Sequence, residues 1–300
     1  KKVSYFELKK KIYTLKKLKN AIPYVTSYYN RDWGFCLSHS QFLKLKKKGS
    51  YKVFIDSSLK PGNLVYSDNL IKGKSKKQVL IYCYLCHPQM ANHELSGPLV
   101  WSYLFKLIKE NGPHNLSYRF VAAPENIGAA AFLSKNIKTI KNDIKAGYII
   151  NCVGYGEEYT LKKSRIGNSI SDRAAQNILN FKKKFKDVDF FPDGSDERQF
   201  CSPGFNLPIA LVMRKMFGTF KEYHNSLDNE KLISFKTIKQ SIETYYEILM
   251  TIDNNFIPKG KILFGTPQLS KSKINLYPKI MNFGSASKSN RIKIMLEILN

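Results

Sequence analysis

The stretch Val79–Gly97, VLIYCYLCHPQMANHELSG, decides how this chain is read. A short, β-rich apolar run ends at His87, and a polar loop then delivers His93, Glu94 and Gly97. Such a run reads as a buried parallel strand whose carboxyl end opens into a loop and then a helix. Ligand sites of open α/β sheets lie at those strand ends.

Downstream, strand and helix signals alternate. Strands are expected over Tyr118–Ala123, Ala146–Val153, Val188–Phe191 and Leu207–Met213, and helices over Leu99–Ile108, Gly128–Ser134, Asp172–Phe181 and Phe235–Asn254. The fold class expected is therefore α/β, a three-layer mixed β-sheet flanked by helices. Upstream, Tyr5–Leu18 has helical spacing. Tyr51–Asp56 and Asn63–Tyr66 read as short strands separated by Lys60-Pro61-Gly62, a small β insertion over residues 36–75. The core would then comprise residues 1–35 and 76–260, and residues 261–300 a linker followed by an amphipathic stretch at Arg291–Leu299.

The 300 residues carry 49 Lys plus Arg against 23 Asp plus Glu, a net charge of +26. That balance is consistent with a nucleic-acid or anionic partner. The lysines are scattered, however, and the densest runs, Lys46–Lys48 and Lys182–Lys184, are not interleaved with aromatics, so solvated faces are the preferred reading. Five cysteines in mostly apolar contexts argue against a secreted disulfide framework and for the cytoplasm; Cys83 and Cys86 read as core thiols. No run approaches a membrane span, and the missing initiator Met suggests a segment of a longer protein.

The chemistry-bearing residues sit at strand ends. His87 follows the first strand, Glu125 in PENIG follows the second, Asn151 the third, and His224 stands in EYHNSLDN. Metal-assisted hydrolysis needs about three protein ligands, an open position for water and a carboxylate base. His87, Glu94 and His224 are expected to hold the metal, with Glu125 as base. The charged GSDERQF segment, Gly194–Phe200, has two readings. Asp196 would orient the base or a histidine, Glu197 receive a substrate ammonium and Arg198 pair with a carboxylate. Alternatively Ser195 caps a helix and Arg198 is solvated.

Read in order, these segments resemble the zinc aminopeptidase and glutaminyl cyclase clan. The closer resemblance is to a bacterial and archaeal aminopeptidase-like family of poorly known function, carried by TSYYNRDWGFC, CHPQMANHELSG, GSDERQF and GTPQLSKSKINLYP. The resemblance implies a zinc-dependent peptidase core with a PA-like insertion and a winged-helix-like C-terminal region that would begin where this chain stops. Two-zinc clan members use carboxylates where this chain has His93 or Glu94, Asn126 and Asn151. Neutral amides are poor ligands for a dication, so one zinc is expected. By the same resemblance Glu125 is the general base, Tyr223 donates to the oxyanion, and His93 is a ligand, a supporting group or solvent-facing. The substrate expected is a small peptide, or an acyl-amide or amino sugar; the alternative is a peptidase-fold protein that binds such a ligand without hydrolysing it. Homo-oligomerisation is compatible with either, and nucleic-acid association through the basic surface and the missing C-terminal region is the weakest reading.

Overall fold

The computed structural model describes residues 1–27, 30–182, 185–257 and 264. In chain order the elements are β1 (Lys2–Ser4), α1 (Tyr5–Lys9), β2 (Ile12–Tyr13), β3 (Phe35–Cys36), α2 (His39–Leu43), β4 (Ser50–Lys52), β5 (Ser67–Ile71) and β6 (Gln78–Tyr84). A π-helical turn (Ala91–Leu95) follows, then α3 (Ser96–Glu110), β7 (Ser117–Ala123), α4 (Ile127–Asp143), β8 (Ile144–Ile149) and β9 (Tyr159–Lys162). The last are α5 (Ile170–Leu179), β10 (Phe185–Val188), α6 (Glu197–Phe200), β11 (Ile209–Met213) and α7 (Phe235–Asp253). These lie in a unit over Lys1–Asn254. The expected amphipathic stretch at Arg291–Leu299 and the start of a winged-helix-like region lie outside the described residues.

Seven strands form one sheet in the order β10-β9-β11-β8-β6-β7-β5, with antiparallel pairs at β5/β7 and β9/β11 and parallel pairing elsewhere. β6 lies inside the sheet, between β8 and β7, and all seven of its residues are buried. That is why the sequence there is a continuous apolar run rather than an alternation: both faces are covered. Val79 and Ile81 join the layer with α3, α5 and α7, built on Val100, Leu104, Ala175 and Leu249. Leu80, Tyr82 and Tyr84 join the opposite layer with α4 and α6 through Phe132, Leu133 and Phe200. The three-layer mixed α/β reading holds.

Local expectations differ at several places; the strand expected at Val188–Phe191 forms over Phe185–Val188, and Asn63–Tyr66 forms none. Helix α1 stops at Lys9 and the chain enters β2, because Ile12–Tyr13 finds a parallel partner in Phe35–Cys36. Within the 36–75 segment, Ser67–Ile71 leaves the insertion and hydrogen-bonds antiparallel to β7 as the sheet's edge. Its polar, mostly exposed SDNLI sequence suits an edge strand. Strand β9 carried no clear sequence signal, yet it supplies Lys162.

One glycine matters for the site. A Cβ on Gly97 would collide with the Ile150 carbonyl oxygen, so the HELSG turn can bring α3 against the end of β8 only with glycine there.

Candidate metal centre

β6 ends at Tyr84, and His87 stands three residues beyond its last ladder bond. The loop then winds into the π-helical turn, which places consecutive residues His93 and Glu94 on different sides of His87. Asp228 fixes that turn: its carboxylate accepts the backbone N–H of Asn92 at 2.6 Å and of His93 at 2.9 Å, and its carbonyl accepts that of Ala91 at 3.2 Å. Asp228 lies four residues after His224, so one short segment sets both histidines. His224 itself has φ of 55°, a left-handed conformation unfavourable for a residue with a Cβ. Its carbonyl is tied to the Tyr24 N–H at 2.9 Å, and the Tyr24 ring packs 5.4 Å from both the His87 and the His224 rings.

The result is a cluster of three imidazoles. His87, His93 and His224 each offer a ring nitrogen, and these atoms lie within 4.8 Å of one another. His93 Nε2 and His224 Nε2 are 3.2 Å apart. The tautomer of His93 follows from its neighbours. Tyr84 donates its one hydroxyl proton to the His93 carbonyl at 3.0 Å, and the same oxygen lies 3.2 Å from His93 Nδ1. Nδ1 therefore carries the proton, and Nε2 presents its lone pair to the cluster. Burial, and then the charges of His87 and His224, hold His93 well below the usual histidine range. Burial and His87 bring His224 down to about 4. Both are neutral imidazoles at neutral pH, the form that binds metal.

His87 is the exception. Burial works against its charge, but hydrogen bonds to Cys86 and Glu94 and the charges of Cys86 and Glu125 outweigh it and push its pKa up to about 10. Its Nδ1 lies 3.2 Å from Glu94 Oε2 and its Nε2 lies 3.6 Å from Glu125 Oε2. A cation entering the cluster would displace the Nε2 proton and take its place between the carboxylates. The donor set thus fits a borderline-soft dication such as zinc.

Of the residues expected to hold the metal, His87 and His224 come together, and Glu94 lies on the other side of His87. Glu94 turns to the Nδ1 side of His87 and accepts the Cys86 N–H at 2.6 Å, so His93 takes its place beside His224. A carboxylate at that nitrogen fixes the imidazole's orientation and raises its basicity. Cys86 is not a core thiol: it is exposed, its Sγ lies 3.2 Å from His87 Nδ1, and with His87 and Glu94 it forms a second trio within 4.8 Å. Cys83 is buried as expected.

Glu125 faces the cluster. Ser195 Oγ donates to its Oε1 at 2.9 Å. Burial raises its pKa, with Glu197 and Glu94 adding and Ser195 and His87 opposing. Asp196 Oδ1 accepts the Asn126 N–H at 2.6 Å and so holds the residue after the base, at its φ of 59°, rather than a histidine. Arg198 Nε donates to Asn126 Oδ1 at 3.0 Å, an amide instead of the expected carboxylate. Glu197 is fully buried and paired to Lys162 Nζ at 2.6 Å, so the expected role of receiving a substrate ammonium is already filled from within. Lys162 also donates to the Asp193 carbonyl at 2.7 Å and sits 3.5 Å from the Phe191 ring centroid. Asn151 is 1% exposed, and neither polar atom of its side chain has a hydrogen-bond partner. Tyr223 stacks on His224 at 3.9 Å and meets His93 edge-on at 4.9 Å. A cavity of about 720 Å³ opens beside His87, with Pro88, Met90, Leu95 and Glu230 on its wall.

Nothing in the sequence marks Lys162, Asp228 or Tyr24 as belonging to the site. The buried fourth histidine outside the cluster, His114, bonds the Ile108 carbonyl at 2.7 Å and serves the packing of α3.

Comparison with known proteins places this architecture. The profile of a family described as Domain of unknown function (DUF4910) matches residues 12–255. The chain belongs to that family. A Clostridium acetobutylicum protein named as a polysaccharide biosynthesis protein with an aminopeptidase-like domain is 40% identical over 250 residues, 83% of this chain and 57% of the relative. A crystal structure of a Clostridium acetobutylicum protein called a peptidase superposes with a TM-score of 0.84 at 38% identity, covering 90% of this chain and 64% of that one. A zinc aminopeptidase from Bacillus subtilis shares the fold alone, with a TM-score of 0.52 at 16% identity over 61% of this chain and 49% of its own. The chain thus has an aminopeptidase-like fold and spans less than two thirds of these relatives. Among the described residues no helix is long and apolar enough to cross a membrane.

Proposed function

We propose that this domain is a single-zinc, aminopeptidase-like hydrolase of an amide bond, with His87, His93 and His224 as the metal ligands. The observation that carries the reading is the convergence of three ring nitrogens within 4.8 Å, with Glu125 3.6 Å from His87 Nε2. Bound there, the ion would polarise the scissile carbonyl and acidify a water, and three neutral ligands would leave its double charge undiminished.

Glu125 takes the proton of the attacking water at Oε2, the oxygen that faces His87, while Ser195 holds Oε1 still. A carboxylate raised above its ordinary range is better matched to removing and returning a proton near neutrality. The same group then delivers that proton to the leaving amine. The Tyr223 hydroxyl donates to the oxyanion that develops on the substrate carbonyl. Since Glu197 is spent on Lys162, the carboxylate available to a substrate ammonium is Glu230, on the wall of the cavity beside His87. The substrate is a small peptide or an acyl-amide on an amino sugar. The latter agrees with the polysaccharide-biosynthesis name of the Clostridium relative.

A peptidase-fold binding protein is the second reading, favoured by amides at Asn126 and Asn151 and by the internally neutralised Glu197. The test is a panel of aminopeptide and acyl-amide substrates assayed with zinc-loaded protein. Turnover lost in Glu125→Gln with zinc retained supports hydrolysis; silence across the panel with zinc bound supports the binding protein.

A further inference from the structure

A second polar cavity lies away from the histidines, where β9, β11 and the start of α7 meet. It measures about 610 Å³, and Arg214 is on its wall together with Tyr159, Phe181, Lys182, Lys236 and Thr237. Arg214 follows the last residue of β11, and its backbone N–H is fixed to the Cys152 carbonyl at 2.9 Å.

The guanidinium is the unusual group. Arg214 is 4% exposed, yet all its partners are neutral: the Ser241 hydroxyl at 3.3 Å from Nε, the Glu157 carbonyl at 3.3 Å from Nη1 and the Gln240 amide oxygen at 2.8 Å from Nη2. Its carbon lies 4.0 Å from the Tyr159 ring centroid, which presses the plane of the fork against an aromatic face. Among the described residues it forms no ion pair. These bonds use one N–H on each nitrogen, the Tyr159 side chain is a further hydrogen-bond partner, and none of the four is a carboxylate. A buried cation without a counter-ion is costly, and proteins ordinarily pair it.

Two further features converge on the same cavity. Lys236 and Thr237 are in the first turn of the 19-residue helix α7, whose N-terminus carries partial positive charge and unpaired N–H groups. Ser234 caps only the Thr237 N–H. Lys182, already paired to Glu247 at 3.0 Å, also lines the cavity, and the exposed Phe181 ring offers an apolar surface. Against these stand Glu157 and Glu243, both exposed and on the same wall; Glu243 lies 3.8 Å from Lys239. They disfavour a polyanion.

We infer that this cavity is a binding site for a small organic ligand carrying one oxyanion group, phosphate or carboxylate, with Arg214 as its counter-ion. The volume exceeds that of a single oxyanion, so the group is carried on a larger body that packs against Phe181. Arg214 supplies the unneutralised positive charge, on a planar guanidinium whose chemistry suits both groups. The α7 N-terminus and Lys236 complete the positive end. The site is independent of the histidine cluster and of the hydrolase reading.

Isothermal titration of the whole chain at low salt with inorganic phosphate, and in parallel with acetate, tests it. Phosphate is expected to bind saturably at one site per chain, at least tenfold more weakly in Arg214→Gln, and unchanged in His93→Ala. Acetate binding that is lost with Arg214→Gln supports the same site and makes carboxylate its ligand class. Should Arg214→Gln fail to fold, Lys236→Glu on the exposed first turn of α7 is expected to weaken binding several-fold. No saturable binding of either anion, or binding indifferent to Arg214→Gln and Lys236→Glu, overturns the inference.

Discussion

Two buried polar clusters meet at Glu125, and they handle charge in opposite ways. On one side, His87, His93 and His224 gather lone pairs, and burial keeps His93 and His224 neutral. On the other, Glu197 is neutralised by Lys162 at 2.6 Å, and both side chains are inaccessible. The second cluster contains its own cation, paired to one oxygen of Glu197; the first has its donors assembled around a centre that an external cation would fill. Glu125 is held by both, through Ser195 on one oxygen and beside His87 on the other. The contrast teaches that dense charge at strand ends is not by itself a ligand site. What distinguishes the two is whether the counter-charge is already in the chain.

The largest expected effect tests the junction. Glu125→Gln keeps the shape and removes the base, and turnover is expected to fall by about 10²–10⁴-fold while zinc content stays unchanged, as read by steady-state kinetics and metal analysis. Full residual activity would remove Glu125 from the proton transfer.

Breaking the self-contained cluster should act on stability instead. Lys162→Met leaves Glu197 buried without a partner and is expected to cost about 3–5 kcal/mol in denaturant unfolding. The double variant Lys162→Met/Glu197→Met should recover most of that loss. A single variant as stable as wild type would show that the pair is not the closed structural unit described.

The open cluster has its own support in Asp228. Asp228→Ala frees the π-helical turn that carries His93 and is expected to weaken zinc affinity by about 10–100-fold, measured by competition with a chelator. Unchanged affinity would mean that the turn holds His93 without it.

The smallest effect is a pH dependence at Asp196. Burial, then the charge of Glu125, raises its pKa well above the unfolded value of 3.8, with Asn126 opposing and Glu197 adding. Its folded form therefore binds a proton that the unfolded chain releases, so its contribution to stability is complete below about pH 3.8 and declines as pH rises toward the folded pKa. Asp196→Asn should accordingly gain in Tm relative to wild type between pH 4 and pH 7 (on the order of a few degrees for one carboxyl in a domain of this size). A Tm difference that is flat across that range would contradict the assignment.

The sheet was legible because β6, β7 and β11 are apolar on both faces and the helices between them carry clear stripes. Edge strand β5 was not, since an exposed strand paired on one side carries polar residues that read as loop. In the site, His87 and Glu125 stood out as polar groups directly after strands, and His224 as a histidine in the polar EYHNSLDN loop. That His93 rather than Glu94 stands beside His224 was hidden because the two are adjacent in sequence, and only the π-helical turn decides which one faces His224. Lys162 was hidden for a different reason. In a chain with 49 Lys plus Arg, a single lysine attracts no notice until a strand 35 residues before Glu197 brings it against that carboxylate.

We propose three imidazoles, and not two imidazoles with Glu94, as the ligands of one zinc ion. Zinc stoichiometry of the purified chain, compared among wild type, His93→Ala and Glu94→Ala, tests it most directly. One zinc per chain in wild type, lost in His93→Ala and retained with weakened affinity in Glu94→Ala, is the expected result. Absence of zinc uptake by wild type, or stoichiometric zinc kept by His93→Ala and lost in Glu94→Ala, would contradict it.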